Sequence, residues 1–242
     1  MNLIVDAGNT SVKLAVFEDN TQVYFLNSEL ASFVKNVKLL FADFPKIDHA
    51  IVSSVSRLGK KDINALSVFC KVHELSSDSK VPFKNSYASP KTLGVDRIAL
   101  AAGAFYFNGD CNTLVIDAGS CITYDLVNDY GEYVGGAISP GIAMRFKAMH
   151  NQTANLPLLE KDDILDFIGN STESCMQSGV INGVCKEMDG VIDQYLGRFK
   201  DLTVILTGGD ADFLSKRLKN SIFAHSSFLL EGLNYLLEYN KK

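Results

Sequence analysis

The sequence contains two aspartates well placed to do chemistry, because each follows a short apolar run and precedes a turn of small residues. Asp6 is followed by Ala-Gly-Asn-Thr-Ser and Asp117 by Ala-Gly-Ser. Such turns expose successive backbone N–H groups that suit an anion such as phosphate, and their glycines let a ligand approach the backbone. The carboxylates suit a hard cation that bridges phosphate oxygens. Each turn alone also fits an ordinary β-hairpin.

The two turns form a repeat, since Asp117 follows Asp6 by 111 residues in a chain of 242. The repeat predicts two copies of one strand–turn–strand unit that face each other, and it favours phosphate binding over two unrelated hairpins. We therefore predict two subdomains, residues 1–108 and 109–242. Lys13 alternates onto the same strand face as Ala15 and Phe17, where its charge needs water or an anion.

A second candidate for chemistry is the segment Gly94-Val95-Asp96-Arg97, which precedes a predicted Ala-rich helix over residues 98–107. Asp96 could act on a substrate, or it could be the N-cap of that helix, where a carboxylate accepts free N–H groups. Arg97 would lie in the first helical turn, where a cation opposes the helix dipole. A substrate carboxylate would remove this conflict, and a solvated arginine at a surface helix end is the alternative.

Later turns have structural interpretations as well as functional ones. The turn Thr207-Gly-Gly-Asp210 follows a predicted strand, so Asp210 is either the cap of the next helix or part of a bare backbone surface for an adenosine. Pro140 is expected in the first turn of the helix that follows it. Cys121 is interpreted as a small buried hydrophobe within a strand.

Composition limits the class of protein. Lys and Arg number 23 against 28 Asp and Glu, which gives a net charge of −5 without any basic block, so nucleic acid is not an expected partner. The five cysteines are odd in number and widely spaced, which indicates reduced thiols rather than disulfides or a zinc site. Neither a signal peptide nor an 18-residue apolar run is recognisable, so we expect a cytoplasmic protein without membrane association.

The elements that must position these residues follow from the hydrophobic pattern. The first half predicts the order β-β-β-α-β-α-β, which is typical of a sheet with helices packed against it. In the second half, residues 172–199 predict one long helix and residues 226–239 a closing amphipathic helix. We therefore predict an α/β fold in which each acidic turn follows the end of a strand.

The ordered set of motifs resembles that of type III pantothenate kinases. The set comprises Asp6-Ala-Gly-Asn-Thr with Lys13, Gly94-Val-Asp-Arg97, Asp117-Ala-Gly-Ser, Gly135-Gly-Ala-Ile-Ser-Pro-Gly141 and Thr207-Gly-Gly-Asp-Ala211. The resemblance implies the duplicated ribonuclease-H-like fold of the actin, heat-shock chaperone and sugar kinase superfamily, with two similar subdomains around a nucleotide cleft. It also implies ATP-dependent phosphorylation of pantothenate to 4′-phosphopantothenate, the first step of coenzyme A biosynthesis.

The resemblance further implies a role for each motif residue. Asp96 would be the general base, Asp117 would bind a monovalent cation (K⁺ or NH₄⁺), and Asp6 would hold Mg²⁺ through the phosphates. The residues implied to bind ATP are Asp6, Ala7, Gly8, Asn9, Thr10, Ser11, Val12, Lys13 and Ser120. The residues implied to bind pantothenate are Tyr87, Gly94, Val95, Asp96, Arg97 and Thr172. A homodimer with each pantothenate site near the subunit interface is also implied.

The sequence departs from the family pattern at three neighbouring positions. Ser120 replaces the threonine commoner in the family and keeps its hydroxyl, whereas Cys121 and Ile122 replace smaller or polar residues.

One rival is a non-catalytic regulator similar to Bvg accessory factors, against which the presence of Asp6 and Asp96 argues. Others are a sugar kinase or polyphosphate-type phosphatase, whose chains are generally longer, and a filament-forming ATPase.

Overall fold

The computed structural model describes residues 1–8, 11–54, 58–163 and 166–241. The strands in these ranges are β1 (Asn2–Ala7), β2 (Val12–Glu18), β3 (Thr21–Ser28), β4 (His49–Ser54), β5 (Lys71–Glu74), β6 (Lys84–Asn85), β7 (Thr113–Ala118), β8 (Cys121–Val127), β9 (Glu132–Pro140), β10 (Thr203–Thr207) and β11 (Phe223–Ala224). The helices are α1 (Phe33–Asp43), α2 (Lys60–Ser67), α3 (Val95–Asn108), α4 (Ile142–Gln152), α5 (Thr172–Arg198), α6 (Ala211–Ser215) and α7 (Phe228–Asn240). Within the described ranges, every helix is too short or too polar to cross a membrane.

The chain forms two compact units, and each is built from more than one segment. The first comprises Met1–Gly109, Gly131–Val134 and Ser227–Lys242, and the second comprises Asp110–Tyr130 and Gly135–Ser226. The first unit is discontinuous because α7, at the end of the chain, packs against α3. The subdomain division after residue 108 stays a prediction.

The first unit contains a five-stranded sheet in the order β3-β2-β1-β4-β5. β1 is antiparallel to β2 and parallel to β4, and all six of its residues are buried. A strand covered on both faces needs a continuous apolar run, which residues 3–5 supply. The core on one face joins Leu3 and Val5 to Val37 and Leu40 of α1.

The second sheet has the order β11-β10-β7-β8-β9-β6. The second unit contains β11-β10-β7-β8 and β9 from Gly135 onward, and the start of β9 pairs with β6 within the first unit. β7 is antiparallel to β8 and parallel to β10, and β10 is parallel to β11. The core joins Leu114 and Ile116 of β7 to Phe146 of α4 and to Val184 and Met188 of α5.

The strand order of the first unit is repeated in the second, which confirms the predicted duplication of a ribonuclease-H-like unit. In each unit the strand that carries the predicted aspartate has an antiparallel neighbour on one side and a parallel neighbour on the other. Asp6 is in register with Lys13 and Ser53, and Asp117 is in register with Thr123 and Thr207.

Two predicted helix starts are wrong. α3 begins at Val95 and not at residue 98, and its N-cap is Gly94, so the alternative in which Asp96 caps the helix is excluded. Pro140 is the last residue of β9, and Gly141, in an extended conformation, is the N-cap of α4. Proline suits both the end of a strand and the start of a helix, so its position alone did not distinguish them.

Polar side chains join the two ends of the chain inside the first unit. The buried Asn2 Nδ2 donates to Asn234 Oδ1 at 2.6 Å and to Glu238 Oε1 at 2.7 Å. Asn234 Nδ2 donates to the Asp19 carbonyl oxygen at 2.9 Å. These bonds fix α7 to β1 and to the turn that follows β2.

The α3–α7 contact yields a stability prediction. A Cβ added at Gly232 would collide with the carbonyl oxygen of Ala99, which is backbone and cannot move aside. We expect Gly232→Ala to lower the free energy of unfolding by about 1–3 kcal/mol, because the two helices must separate. The measurement is denaturant unfolding followed by circular dichroism.

The matched control for this prediction is Gly190→Ala in the middle of α5, where nothing lies within 4 Å of an added Cβ. This change should raise the free energy of unfolding by about 0.5–1 kcal/mol, since glycine weakens a helix interior. Equal effects of the two substitutions would show that close helix packing at Gly232 is unimportant.

Candidate active site

Asp6 and Lys13 form an ion pair at the end of β1. The antiparallel register places them opposite each other, with Lys13 Nζ 3.3 Å from Asp6 Oδ2. Burial raises the pKa of the Asp6 carboxyl above its ordinary value, the charge and hydrogen bond of Lys13 oppose that rise, and the negative charge of Asp96 adds to it. The structure therefore brings Asp6, Lys13 and Asp96 into one electrostatic neighbourhood.

The turn after Asp6 begins as the sequence predicts. The Gly8 N–H donates to the Ser11 carbonyl oxygen at 3.1 Å, and Asn9 and Thr10 lie outside the described residues. A Cβ at Gly8 would meet only that carbonyl, at an ordinary 3.6 Å, so the packing of the chain leaves room for a side chain there.

Ala7 and Val12 flank this turn, and their side chains belong to the apolar core. Both were predicted to contact ATP. With their side chains buried, only their backbone groups could meet a ligand.

Gly94 makes space for the carboxylate of Asp96. A Cβ at Gly94 would collide with Asp96 Oδ1, the oxygen that accepts the Arg97 N–H at 2.8 Å. Val95, which begins α3, is half-buried. The segment thus holds one carboxylate oxygen of Asp96 against the first turn of α3.

Arg97 is held by two tyrosines. Its guanidinium carbon lies 5.6 Å from the ring centroid of Tyr87 and 6.0 Å from that of Tyr133. Arg97 is 5% exposed and Tyr133 is fully buried. Cation–π attraction explains how a cation is accommodated in the first turn of a helix despite the dipole.

Tyr133 was missed by the sequence analysis. It lies in β9, more than thirty positions along the chain from Arg97, and its ring also lies 6.0 Å from that of Tyr87. Only its aromatic character gave any signal, and that is equally typical of a core residue.

In the second unit, Asp117 lies against a turn of bare backbone. Gly208 has φ +98°, and a Cβ there would collide with Asp117 Oδ1 and with the Ala118 carbonyl oxygen. The Asp210 N–H donates to that same carbonyl oxygen at 2.9 Å. Glycine at 208 is required both by its left-handed backbone and by the closeness of the carboxylate.

Asp210 is the N-cap of α6 by position, but its side chain makes no capping hydrogen bond. Its carboxylate instead forms an ion pair with Lys161. Asp210 therefore occupies the N-cap position, but its side chain does not cap the helix.

The turn at Ser120 also lies against main-chain groups. The Gly119 N–H donates to the Cys121 carbonyl oxygen at 2.9 Å, and the Gly141 N–H donates to the Ser120 carbonyl oxygen at 3.1 Å. A Cβ at Gly141 would collide with the Gly119 carbonyl oxygen. Ser120 itself is exposed, and Cys121 is half-buried instead of buried as predicted.

Thr172, the predicted pantothenate-binding threonine, is the first residue of α5 and is exposed. The helix is capped by its neighbour Ser171, whose hydroxyl accepts the Ser174 N–H at 3.1 Å. The Thr172 hydroxyl is therefore not needed for the cap. Thr172 belongs to the second unit, as do Asp117 and Ser120, whereas Tyr87 and residues 94–97 belong to the first.

The donor set fits phosphate and a partly hydrated cation. Among the described residues, no three His, Cys, Asp or Glu side chains form a group that could hold a metal ion by themselves. A Mg²⁺ ion usually takes one or two carboxylates and completes its shell with water and phosphate oxygens. Asp6 supplies one such carboxylate, and Lys13 supplies an ammonium group suited to phosphate.

Solved structures share this fold. A Campylobacter jejuni protein named for the Baf family of transcriptional activators matches with a TM-score of 0.66 and 21% identity over 99% of this chain and 98% of that chain. An activator of 2-hydroxyisocaproyl-CoA dehydratase from Clostridium difficile, with bound ADPNP, matches with a TM-score of 0.57 and 12% identity over 99% and 93% of the two chains. At these identities the likeness concerns the fold alone.

Sequence relatives are much more similar. A type III pantothenate kinase from Christiangramia forsetii is 50% identical over 100% of this chain and 99% of its own length. One from Flavobacterium johnsoniae is 46% identical over 99% and 98%. The sequence model of the type III pantothenate kinase family matches residues 2–194. On these matches, which span the motifs described above, the chain belongs to the type III pantothenate kinase family.

Proposed function

We propose that this protein catalyses the ATP-dependent phosphorylation of pantothenate to 4′-phosphopantothenate, the first step of coenzyme A biosynthesis. The observation that carries the proposal is the grouping of Asp6, Lys13 and Asp96, because a phosphoryl transfer needs a cation beside the phosphates and a carboxylate beside the acceptor alcohol. Family membership supplies the identity of the acceptor.

Lys13 and Asp6 serve the phosphate side of the reaction. The Lys13 side chain is 37% exposed, so its ammonium group can reach a phosphate oxygen while it remains near Asp6. When bound, ATP would supply the transferable phosphoryl group and Mg²⁺ would neutralise its charge. Asp6 would hold the ion directly or through water, and backbone N–H groups of the turn after β1 would complete the anion site.

Asp96 serves the acceptor side. Its Oδ1 accepts the Arg97 N–H, and we assign Oδ2 to the hydroxyl of pantothenate. A carboxylate is too weak a base to ionise an alcohol in advance. Asp96 therefore orients the hydroxyl and accepts its proton late, as the new P–O bond forms.

Arg97 provides a positive site for the pantothenate carboxylate. Its guanidinium is held by Tyr87 and Tyr133, and a planar donor fork fixed in this way pairs well with a carboxylate. Gly94, Val95 and Thr172 are the other residues that we assign to pantothenate.

Asp117 is assigned to a monovalent cation, K⁺ or NH₄⁺, and Ser120 to ATP. The two aspartates occupy equivalent strand positions, but Asp6 is in register with a lysine and Asp117 with a threonine. A carboxylate beside hydroxyl and carbonyl oxygens suits an added cation. From the family resemblance we also propose a cytoplasmic homodimer with each pantothenate site near the subunit interface.

The principal alternative is a non-catalytic regulator. The similar structure named for transcriptional activators is only 21% identical, so its name does not indicate the function of this chain. A protein that only binds would have no need of Asp96 beside the Asp6–Lys13 pair.

Substitution of Asp96 tests the proposal. The wild-type protein with ATP, Mg²⁺, K⁺ and pantothenate should form a product heavier by one phosphoryl group, as identified by mass spectrometry. Asp96→Asn should lower kcat by about 10²- to 10⁴-fold, because the hydroxyl loses its proton acceptor. Asp43→Asn, at the exposed end of α1, is the control and should leave kcat unchanged. Near-wild-type turnover by folded Asp96→Asn would remove Asp96 from this role.

Substitutions of Asp6 and Lys13 should change stability in opposite directions. Because burial raises the pKa of Asp6, its ionised form is less favourable in the folded chain, a cost present at neutral pH that diminishes as pH falls through the raised pKa. Asp6→Asn should therefore raise the thermal midpoint at neutral pH, and the gain should shrink at acidic pH. Lys13→Met should lower stability by about 1–3 kcal/mol, because it leaves the carboxylate without its cation.

Both substitutions should abolish phosphorylation of pantothenate. A loss of stability in Asp6→Asn at neutral pH would show that the Lys13 pair outweighs the cost of burying the carboxylate.

The Asp117 assignment predicts a salt requirement. Turnover should depend on K⁺ or NH₄⁺ and be weak in Na⁺ at equal ionic strength, and Asp117→Asn should raise the half-activating K⁺ concentration about tenfold or more. Steady-state rates across the three chlorides provide the measurement. Equal rates in all three salts would refute the assignment.

A further inference from the structure

A hydrogen-bonded network in the second unit joins four elements, namely α4, α5, β8 and β9, and is centred on Arg145 of α4. Arg145 Nε donates to the Pro140 carbonyl oxygen at 2.8 Å, and Nη2 donates to Ser139 Oγ at 3.0 Å. Nη2 also donates to Glu187 Oε2 of α5 at 2.6 Å. The hydroxyl of Tyr124, in β8, donates to Glu187 Oε1 at 3.3 Å.

The network is partly withdrawn from water and remains charged. The side chains of Arg145 and Glu187 are 22% and 30% exposed. Burial alone would raise the pKa of Glu187, yet the hydrogen bonds from Arg145, Ser139 and Tyr124, with the positive charge of Arg145, hold it below its usual range. Burial and the nearby Glu187 carboxylate together raise the pKa of Tyr124, so its hydroxyl keeps its proton.

The network leads directly to the Ser120 turn. Pro140, whose carbonyl Arg145 holds, is followed by Gly141, whose N–H donates to the Ser120 carbonyl oxygen at 3.1 Å. Because Gly141 lies against the carbonyl of Gly119, any shift of Pro140 must displace the turn that follows Asp117.

Holding α4 against α5 does not by itself require this ion pair. Phe146 of α4 and Val184 and Met188 of α5 are fully buried in one apolar core. A partly exposed ion pair adds little to stability beyond such a core. What the apolar core cannot supply is a directed donor to the carbonyl of Pro140.

We propose that Arg145 and Glu187 are positioning residues for the Asp117–Ser120 turn. The pair fixes the Pro140–Gly141 backbone and, through it, the groups that meet the nucleotide and the monovalent cation. This inference rests on the proposed function, which assigns those two ligands to the turn. Arg145 and Glu187 act through the backbone and do not touch the reacting atoms.

The test compares Glu187→Gln and Arg145→Lys with Asp193→Asn. Asp193 lies on the same helix and pairs with Lys219 at 2.7 Å, so it controls for the loss of a charged pair on α5. Arg145→Lys keeps the charge but loses the planar fork that reaches Pro140, Ser139 and Glu187 together. Calorimetry with MgATP and K⁺, without pantothenate, measures nucleotide affinity independently of turnover.

Both test variants should weaken MgATP binding and raise the half-activating K⁺ concentration by about 10-fold, as loss of supporting hydrogen bonds does at other ion sites. The KM for pantothenate and the thermal midpoint should stay close to those of Asp193→Asn. Unchanged MgATP affinity, or equal rises in the KM for ATP and for pantothenate, would overturn the inference.

The same experiment separates failure of the inference from failure of the proposed function. If the wild-type protein binds MgATP but does not phosphorylate pantothenate, the proposed function fails and the affinity comparison still decides the role of Arg145. If the wild-type protein binds no MgATP in K⁺, both are overturned.

Discussion

The buried carboxylate of Asp6 is the constraint on which the candidate site depends. It lies at the end of the most buried strand of the first unit and carries a charge that burial disfavours. The antiparallel register of β1 and β2 supplies Lys13 as the compensating cation, and the start of α3 brings a second carboxylate, Asp96, close enough to oppose ionisation. The fold thus concentrates unfavourable negative charge where a bound cation would relieve it.

The two units show how one strand pattern acquires different electrostatics. Both present an aspartate on a strand with one antiparallel and one parallel neighbour. The first unit places a lysine and a serine in register with it, and the second places two threonines. The aspartate of the first unit therefore has a built-in cation beside it, whereas that of the second unit has hydroxyl-bearing neighbours.

Much of this could be predicted from the sequence, for identifiable reasons. The acidic turns and apolar strands are local patterns, and their spacing indicated the duplication that the common strand order confirms. The helix predicted from residue 98 begins three residues earlier, at Val95, because Asp96 suits a first turn as well as a cap and its residue type alone does not distinguish the two positions. Tyr133, Arg145 and Glu187 could not be predicted, since their roles depend on pairings between elements far apart in the chain.

The path of the chain has a consequence for its synthesis. α7 belongs to the first unit, and Asn234 on that helix is bonded to Asn2 at the opposite end of the chain. A ribosome must therefore translate all of the second unit before the first can be completed. Until then the face of α3 that receives Gly232 stays uncovered, and a nascent chain halted before residue 227 would expose it to chaperones and proteases.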